Sequence, residues 1–292
     1  MDAIQTENLT KFYGKHRGID RITLTVPEGD FFGFIGPNGA GKSTTIRLCL
    51  GFIAPTGGTA RIFGTDVRAD PMKILRQVGY LPSETGFYPG MKVKELLKLS
   101  ADLRKLDCRE EAARLCQALD LDPDRKIDQL SLGNRKKAGI VCALQHRPRL
   151  YILDEPTSGL DPLIQREFYH LLQERNRQGA TIFLSSHVLS EVQRYCAHAA
   201  IIREGRLLAS GSVEELSHTG VKHVSLQGMT RAPKLSGIRS EKAEGNAVSF
   251  LYSGEPGQLL AALAALPITD VSISEPDLEE VFLHYYSKEA DV

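Results

Sequence analysis

An apolar run followed at once by a glycine-rich turn constrains this chain more than any other feature. Phe31 to Ile35 has the pattern of a strand buried on both faces, and residues 36–43 then fit GxxxxGK[ST]. A helical segment continues through Ile46 and Leu50. The glycines let the backbone turn tightly with its N–H groups pointing inward, and the helix adds the positive end of its dipole. Strand, turn and helix in this order predict an α/β fold with a phosphate-binding loop.

Residues of this loop are expected to hold a nucleoside triphosphate in different ways. Lys42 is predicted to reach the β- and γ-phosphates, and the Ser43 hydroxyl is predicted to ligate Mg²⁺. The other residues of the loop expected to contact the nucleotide are Gly36, Asn38, Gly39, Gly41 and Thr44. A match to this pattern is uncommon by chance at average composition, so we interpret it as functional.

Two acids end a second apolar strand, Tyr151 to Leu153. In open parallel sheets, ligands sit beyond the carboxyl ends of the strands. Asp154 is therefore expected to hold Mg²⁺, and Glu155 to orient and deprotonate the attacking water.

His187 follows a further predicted strand, residues 181–184, which would place it at the same edge of the sheet. A histidine there is structural as often as catalytic, so position alone leaves both roles open. Predicted helices at 165–177 and 188–196 alternate with the strands, and this alternation indicates a mainly parallel sheet.

The pattern of elements changes along the chain. Two alternating strands, 4–9 and 22–26, flank a polar turn around 14–18. Residues 90–147 have helical spacing and predict an inserted helical subdomain. From about 220, short strands, a helix near 258–266 and a last helix opening at Pro276 predict a small α+β domain. We therefore predict a nucleotide-binding domain over 1–218 and an accessory domain over 219–292.

Charge and cysteine usage narrow the classes of partner. Basic and acidic residues number 36 each, so the formal net charge is zero and no nucleic-acid partner is expected. The five cysteines lack CxxC spacing, which favours reduced thiols in a cytosolic protein. No segment approaches the roughly 20 apolar residues that cross a bilayer, so a role at a membrane would require a partner.

Together these motifs resemble the nucleotide-binding subunit of ATP-binding cassette (ABC) transporters. Leu130 to Asn134 is similar to the family's signature motif, and Ser158 to Asp161 is similar to its D-loop. His187 resembles the family's switch histidine, which favours the catalytic role. Tyr13 stands where the family places an aromatic that stacks on adenine. The resemblance covers about residues 1–215.

The resemblance implies an ABC-type P-loop ATPase with a mixed β-sheet that hydrolyses ATP with Mg²⁺. Two copies would face each other head to tail, each ATP lying between one copy's Walker residues and the other's signature helix. Ser131, Gly133 and Asp161 would then contribute to the nucleotide site, with Ser131 capping a helix that begins near Gly133. Closure on ATP and opening after hydrolysis would move attached membrane subunits.

Two motifs depart from the family pattern. Leu132 stands where glycine is usual and Asn134 where glutamine is usual, so the leucine side chain has to point away from the nucleotide. Ser83 replaces a glutamine that senses the γ-phosphate, and a water or Glu84 would have to substitute for it. The basic run 135–137 either adds positive charge near the γ-phosphate or forms a solvated helix face.

The variant motifs also resemble those of bacterial drug, antibiotic or lipid exporters of the ABC-2 kind. In these exporters the ATPase and the permease are separate chains, which implies an integral membrane permease as partner. The chain would be cytoplasmic and peripheral on the inner face of the cell membrane, with residues 83–91 receiving a permease helix. The alternative is a soluble ABC ATPase acting on ribosomes or DNA. One cassette, with a short span from Lys42 to Ser131, argues against it.

Overall fold

The computed structural model describes residues 1–217 and 221–274. The chain divides into two compact units, Met1–Gly211 and Ser212–Val292.

The first unit contains two sheets and the helices that cover them. Its strands are β1 (Asp2–Tyr13), β2 (His16–Pro27), β3 (Phe31–Ile35), β4 (Gly57–Ile62), β5 (Thr65–Asp66), β6 (Val78–Leu81), β7 (Leu150–Asp154), β8 (Thr181–Ser186), β9 (His198–Arg203) and β10 (Arg206–Ser212). Its helices are α1 (Lys42–Cys49), α2 (Pro71–Gln77), α3 (Val93–Arg104), α4 (Arg109–Ala118), α5 (Leu132–Leu144), α6 (Pro162–Arg177) and α7 (Leu189–Tyr195).

The larger sheet has the strand order β10-β9-β3-β8-β7-β6. Every pairing from β9 to β6 is parallel. Strands β3, β7 and β8 are buried along their whole lengths, as strands covered on both faces are. The apolar runs therefore form the centre of an α/β sheet, as predicted.

The parallel register brings three strand ends to one edge of this sheet. Ile35 at the end of β3 pairs with Ser186, and Asp154 at the end of β7 pairs with Ser185. The glycine-rich loop, Glu155 and His187 each follow one of these strands directly, and Asp154 is the last residue of β7. The sheet thus positions all three motifs side by side.

The smaller sheet is antiparallel, with the order β2-β1-β4-β5. Strands β1 and β2 are longer than the predicted strands, because their pairing continues to Tyr13 and His16. The predicted polar turn around 14–18 was therefore too long. Only Gly14, at φ +60°, and Lys15 form the turn.

The segment between β6 and β7 carries α3, α4 and α5, in agreement with its helical spacing. Helix α5 lies close against the chain that follows β6. A Cβ added at Gly139 would come within 2.8 Å of Thr85 Cγ2 and 2.9 Å of Leu81 Cδ1, so the glycine permits this approach.

The second unit has an antiparallel sheet with the order β12-β13-β11-β14. Its elements are α8 (Val213–Ser217), β11 (Lys222–Gln227), β12 (Ile238–Glu244), β13 (Ala247–Tyr252), α9 (Pro256–Ala264) and β14 (Asp270–Ser274). Leu259 and Leu263 of α9 pack with Val224 and Phe250 in one apolar core. The helix predicted from Pro276 lies outside the described residues.

The lengths of the helices decide whether any of them could span a membrane. Helix α6 has 16 residues, and α9, which is rich in alanine and leucine, has 9. Within residues 1–217 and 221–274, no helix has both the length and the apolar content that crossing a bilayer requires.

Candidate nucleotide-binding and catalytic site

Two glycines of the loop after β3, Gly36 and Gly41, are required by close backbone contacts. Gly41 precedes α1 with φ +108°, a conformation that side chains disfavour, and an added Cβ would lie 2.9 Å from the carbonyl oxygen of Gly18. A Cβ at Gly36 would lie 2.5 Å from the carbonyl oxygen of Ile202. The loop therefore sits tightly on its neighbours, and the N-terminus of α1 follows it directly.

Lys42, the first residue of α1, has a buried and well-partnered ammonium group. The residue is 6% exposed. Its Nζ donates to the carbonyl oxygens of Gly36 at 2.6 Å and Pro37 at 3.2 Å. The same atom lies 3.0 Å from Glu155 Oε1. A cation out of water needs such partners, and here they fix it between the loop and the second acid of the β7 motif.

Glu155 is held in an unusual backbone conformation at the end of β7. Its φ is +49°, in the left-handed region that a glutamate rarely adopts. Its N–H donates to the carbonyl oxygen of Ser185 at 3.1 Å. Its Oε2 lies 2.6 Å from Nδ1 of His187. Strain of this kind is common at functional sites, and here the carboxylate is aimed between Lys42 and His187.

Asp154 is the buried member of the acid pair, with 1% of its surface exposed. Its Oδ1 accepts a hydrogen bond of 2.5 Å from the Ser185 hydroxyl. The carboxylate is thereby oriented from the neighbouring strand. Asp154 and the partly exposed Ser43 both offer oxygen ligands, the type that Mg²⁺ prefers.

An open polar cavity of about 390 Å³ lies on the loop. Most of the predicted nucleotide contacts line it, and so do two of the three predicted catalytic residues, Lys42 and Glu155. The lining residues are Tyr13, Arg17, Gly18, Pro37, Asn38, Gly39, Gly41, Lys42, Ser43, Thr44, Ser83 and Glu155. Gly36 belongs to the same site through the carbonyl that Lys42 contacts.

Two lining residues, Arg17 and Gly18, were missed from the sequence. Both residues were assigned to the predicted turn around 14–18, but the turn is shorter and they lie in β2. Arg17 also pairs with Glu204 at 3.5 Å. Ser185, which orients Asp154, was missed as well. Its hydroxyl at the end of a buried strand was the available signal.

The signature motif and the D-loop contact one another, and neither lines the cavity just described. Ser131 caps α5 by accepting from the N–H of Asn134 at 3.3 Å, as predicted for a helix cap. Asp161 caps α6 in the same way, accepting from Ile164 N at 3.1 Å. A Cβ added at Gly133 would lie 2.8 Å from the carbonyl oxygen of Gly159. The nucleotide contacts expected of these residues stay predictions.

Two of the three residues in the basic run, Lys136 and Lys137, are not part of a solvated helix face. Lys136 is 3% exposed and Lys137 is 7% exposed. Lys136 Nζ donates to the carbonyl oxygens of Pro82 and Ser83, and Lys137 Nζ donates to that of Asp120. That interpretation is wrong for these two residues, because each long side chain reaches main-chain carbonyls away from water.

Leu132 has its side chain in solvent, with 72% of the residue exposed. It lies near Gly159, where an added Cβ would be 3.6 Å from Leu132 Cδ2. The leucine that replaces the usual glycine is therefore accommodated at the surface.

Comparison with known proteins places these motifs in one family. Residues 19–158 match the family model described as ABC transporter. The chain is 34% identical to the bacitracin transport ATP-binding protein BcrA of Bacillus licheniformis, over 96% of each protein. It is 31% identical to the daunorubicin/doxorubicin resistance ATP-binding protein DrrA of Streptomyces peucetius, over 99% of this chain and 94% of that protein.

A solved structure supports the same assignment. A structure described as the ATP-binding subunit of an ABC transporter superposes with a TM-score of 0.69 and 32% identity, covering 73% of this chain and 91% of that one. The α/β P-loop fold expected from the glycine-rich motif is confirmed. This chain belongs to the ABC transporter family and is one of its ATP-binding, ATP-hydrolysing subunits.

Proposed function

We propose that the chain hydrolyses ATP to power export of a substrate through a separate membrane permease. One observation carries the catalytic part: Lys42, Glu155 and His187 are joined by contacts of 3.0 and 2.6 Å beside the cavity. Similarity to bacitracin transport and drug resistance ATP-binding proteins over 96% and 99% of this chain supports export. We assign nucleotide binding to residues 1–218, and an accessory role to 219–292.

Glu155 acts in this proposal as the general base. Its Oε1 faces Lys42 and its Oε2 faces His187, so the carboxylate is held from two sides at the cavity wall. A base held in this way can align a water with the γ-phosphate and accept its proton. His187 orients the carboxylate, and its exposed face is free to approach the terminal phosphate.

Phosphate binding rests on the loop and on Lys42. The amide groups of the loop and the N-terminus of α1 favour an anion, and Lys42 adds a full positive charge beside them. Tyr13, 47% exposed at the cavity rim, supplies an aromatic face for the adenine.

Ser43 and Asp154 are the residues that would hold Mg²⁺. One is a hydroxyl in the cavity wall, and the other is a buried carboxylate whose orientation Ser185 fixes. This donor set suits the ion, which when bound would neutralise charge on the β- and γ-phosphates.

A second copy of the chain completes the site in this proposal. Ser131, Gly133 and Asp161 lie outside the cavity of their own subunit, at helix N-termini able to donate N–H groups to a phosphate. Head-to-tail pairing would bring them to the ATP of the partner. Binding of ATP would close the pair, and hydrolysis would open it.

Fractionation of cells that contain the chain and its permease tests the export role. The chain should sediment with membranes and be released by an alkaline wash, because its attachment runs through the permease. Membranes from cells without the permease supply the control. Sedimentation with ribosomes, or binding to membranes regardless of the permease, would contradict the proposal.

A further inference from the structure

Lys136 connects the helix that carries the signature motif to the wall of the nucleotide cavity. It lies in the first turns of α5, two residues beyond Asn134. Its Nζ donates to the carbonyl oxygen of Ser83 at 2.9 Å and to that of Pro82 at 3.2 Å. Ser83 is itself a lining residue of the cavity. One side chain thus spans from α5 to the nucleotide site of the same subunit.

We propose that Lys136 is a positioning residue for ATP hydrolysis, which holds residues 82–83 in place at the edge of the nucleotide cavity. The inference rests on the proposed function, because it requires that Asp154 and Glu155 act on a triphosphate in that cavity.

The packing of α5 supports this role. Gly139 lies one turn beyond Lys136, so the two residues share a face of the helix. The backbone at Gly139 approaches the side chains of Leu81 and Thr85 so closely that a Cβ there would have to displace them. One face of α5 therefore contacts the segment 81–85 in two ways. Gly139 packs against it, and the ammonium group of Lys136 donates hydrogen bonds to it.

The positive charge of Lys136 also interacts with the two acids of the site, Asp154 and Glu155. Burial lowers the pKa of Lys136 to about 8, while the negative charges of Asp154 and Glu155 oppose that lowering. The ammonium therefore lies within electrostatic range of both acids. Only 3% of Lys136 is exposed, so solvent screens this charge weakly.

Lys137 offers an internal comparison. It is buried to a similar degree and also donates to a main-chain carbonyl, that of Asp120 at 3.3 Å. Asp120 follows α4 and does not line the nucleotide cavity. Loss of either lysine removes a buried ammonium and its bond, but only loss of Lys136 releases the cavity wall.

Steady-state hydrolysis by the full-length chain, alongside binding of a fluorescent ATP analogue and thermal unfolding, tests the proposal. Lys136→Met should lower kcat by about tenfold to a hundredfold, since small displacements near reacting groups cost that much. The KM for ATP should change by less than about threefold, because the phosphate loop is untouched. Lys137→Met should retain kcat to within about threefold.

Equal kcat values for the two methionine variants would overturn the inference. So would a loss in Lys136→Met that lies wholly in ATP affinity. If that protein does not fold, Lys136→Gln serves instead, because its amide ends one atom short of Nζ and carries no charge. Glu155→Gln is measured in parallel. Full turnover by Glu155→Gln would refute the proposed function, whereas loss there with normal turnover in the Lys136 variant would refute only this inference.

Discussion

Nδ1 of His187 lies 2.6 Å from Oε2 of Glu155, across the ends of two adjacent parallel strands. Glu155 makes this contact from a left-handed backbone conformation, and its N–H bonds to Ser185 of the neighbouring strand. The sheet therefore brings the residues of two separate sequence motifs into direct contact.

Removing the imidazole should separate catalysis from binding. His187→Ala is expected to lower kcat by about 10² to 10³, because the general base loses its orienting partner. Binding of an ATP analogue should be nearly unchanged. His198→Ala is the control, because His198 Nδ1 also pairs with a carboxylate, Asp30 Oδ2, at 3.0 Å. His198 begins β9 and pairs with Phe32 near the start of β3, so it lies at the sheet edge opposite the site. Equal losses in both variants would refute a catalytic role for His187.

Lys42→Ala should weaken nucleotide binding itself. The variant removes a charged donor from the phosphate loop, so we expect the Kd for ATP to rise by about tenfold or more. Equilibrium titration with a fluorescent analogue measures the change. Lys94→Ala, which removes an exposed lysine paired with Asp124 at 2.6 Å, should leave the Kd unchanged. An unaltered Kd in Lys42→Ala would show that the triphosphate binds elsewhere.

Ser185→Ala should alter the requirement for magnesium. The Ser185 hydroxyl donates to Asp154 Oδ1, and loss of such a bond behind a metal ligand typically costs about 10- to 100-fold in metal affinity. The Mg²⁺ concentration for half-maximal hydrolysis should rise accordingly. Ser186→Ala removes a neighbouring buried hydroxyl that bonds to Glu191, and it serves as control. The same Mg²⁺ requirement in both variants would argue against Asp154 as a ligand.

Features of the fold and the site that depend on neighbouring residues could be predicted from the sequence. Features that depend on contacts between residues distant in sequence could not. The strand before the loop and the acids after Tyr151 follow from local pattern, because burial on both faces demands a continuous apolar run. The place of Arg17 did not follow, since the length of the β1–β2 turn depends on how far backbone pairing continues. The burial of Lys136 was missed because its partners, the carbonyls of Pro82 and Ser83, are distant in sequence and carry no side-chain signature.

Glu111 of α4 forms the centre of an ion-pair cluster, with bonds from Arg114, Arg147 and Arg175. Burial alone would raise the pKa of Glu111, but hydrogen bonds from Arg114 and Arg147 and the charge of Arg175 lower it to about 2. Because the folded-state pKa lies below its ordinary value of 4.5, the cluster stabilises the fold fully above that pH. This contribution should disappear as the pH falls toward 2.

Glu111→Gln should therefore lower the free energy of unfolding at pH 7 by about 3 kcal/mol, because three arginines lose their buried partner. Denaturant titration measures the loss, and the difference from wild type should shrink between pH 4.5 and 2. Glu110→Gln, at the exposed neighbouring position, should have little effect. A difference that does not depend on pH would contradict the charge-based account of the cluster.

The rate of phosphate release from Glu155→Gln at saturating ATP tests the central claim most directly. The variant keeps the phosphate loop and Lys42, so it should bind ATP as wild type does. It loses the base, so its kcat should fall by about 10² to 10⁴. Undiminished phosphate release by a protein that binds ATP normally would contradict the assignment of Glu155 as the base and the site built around it.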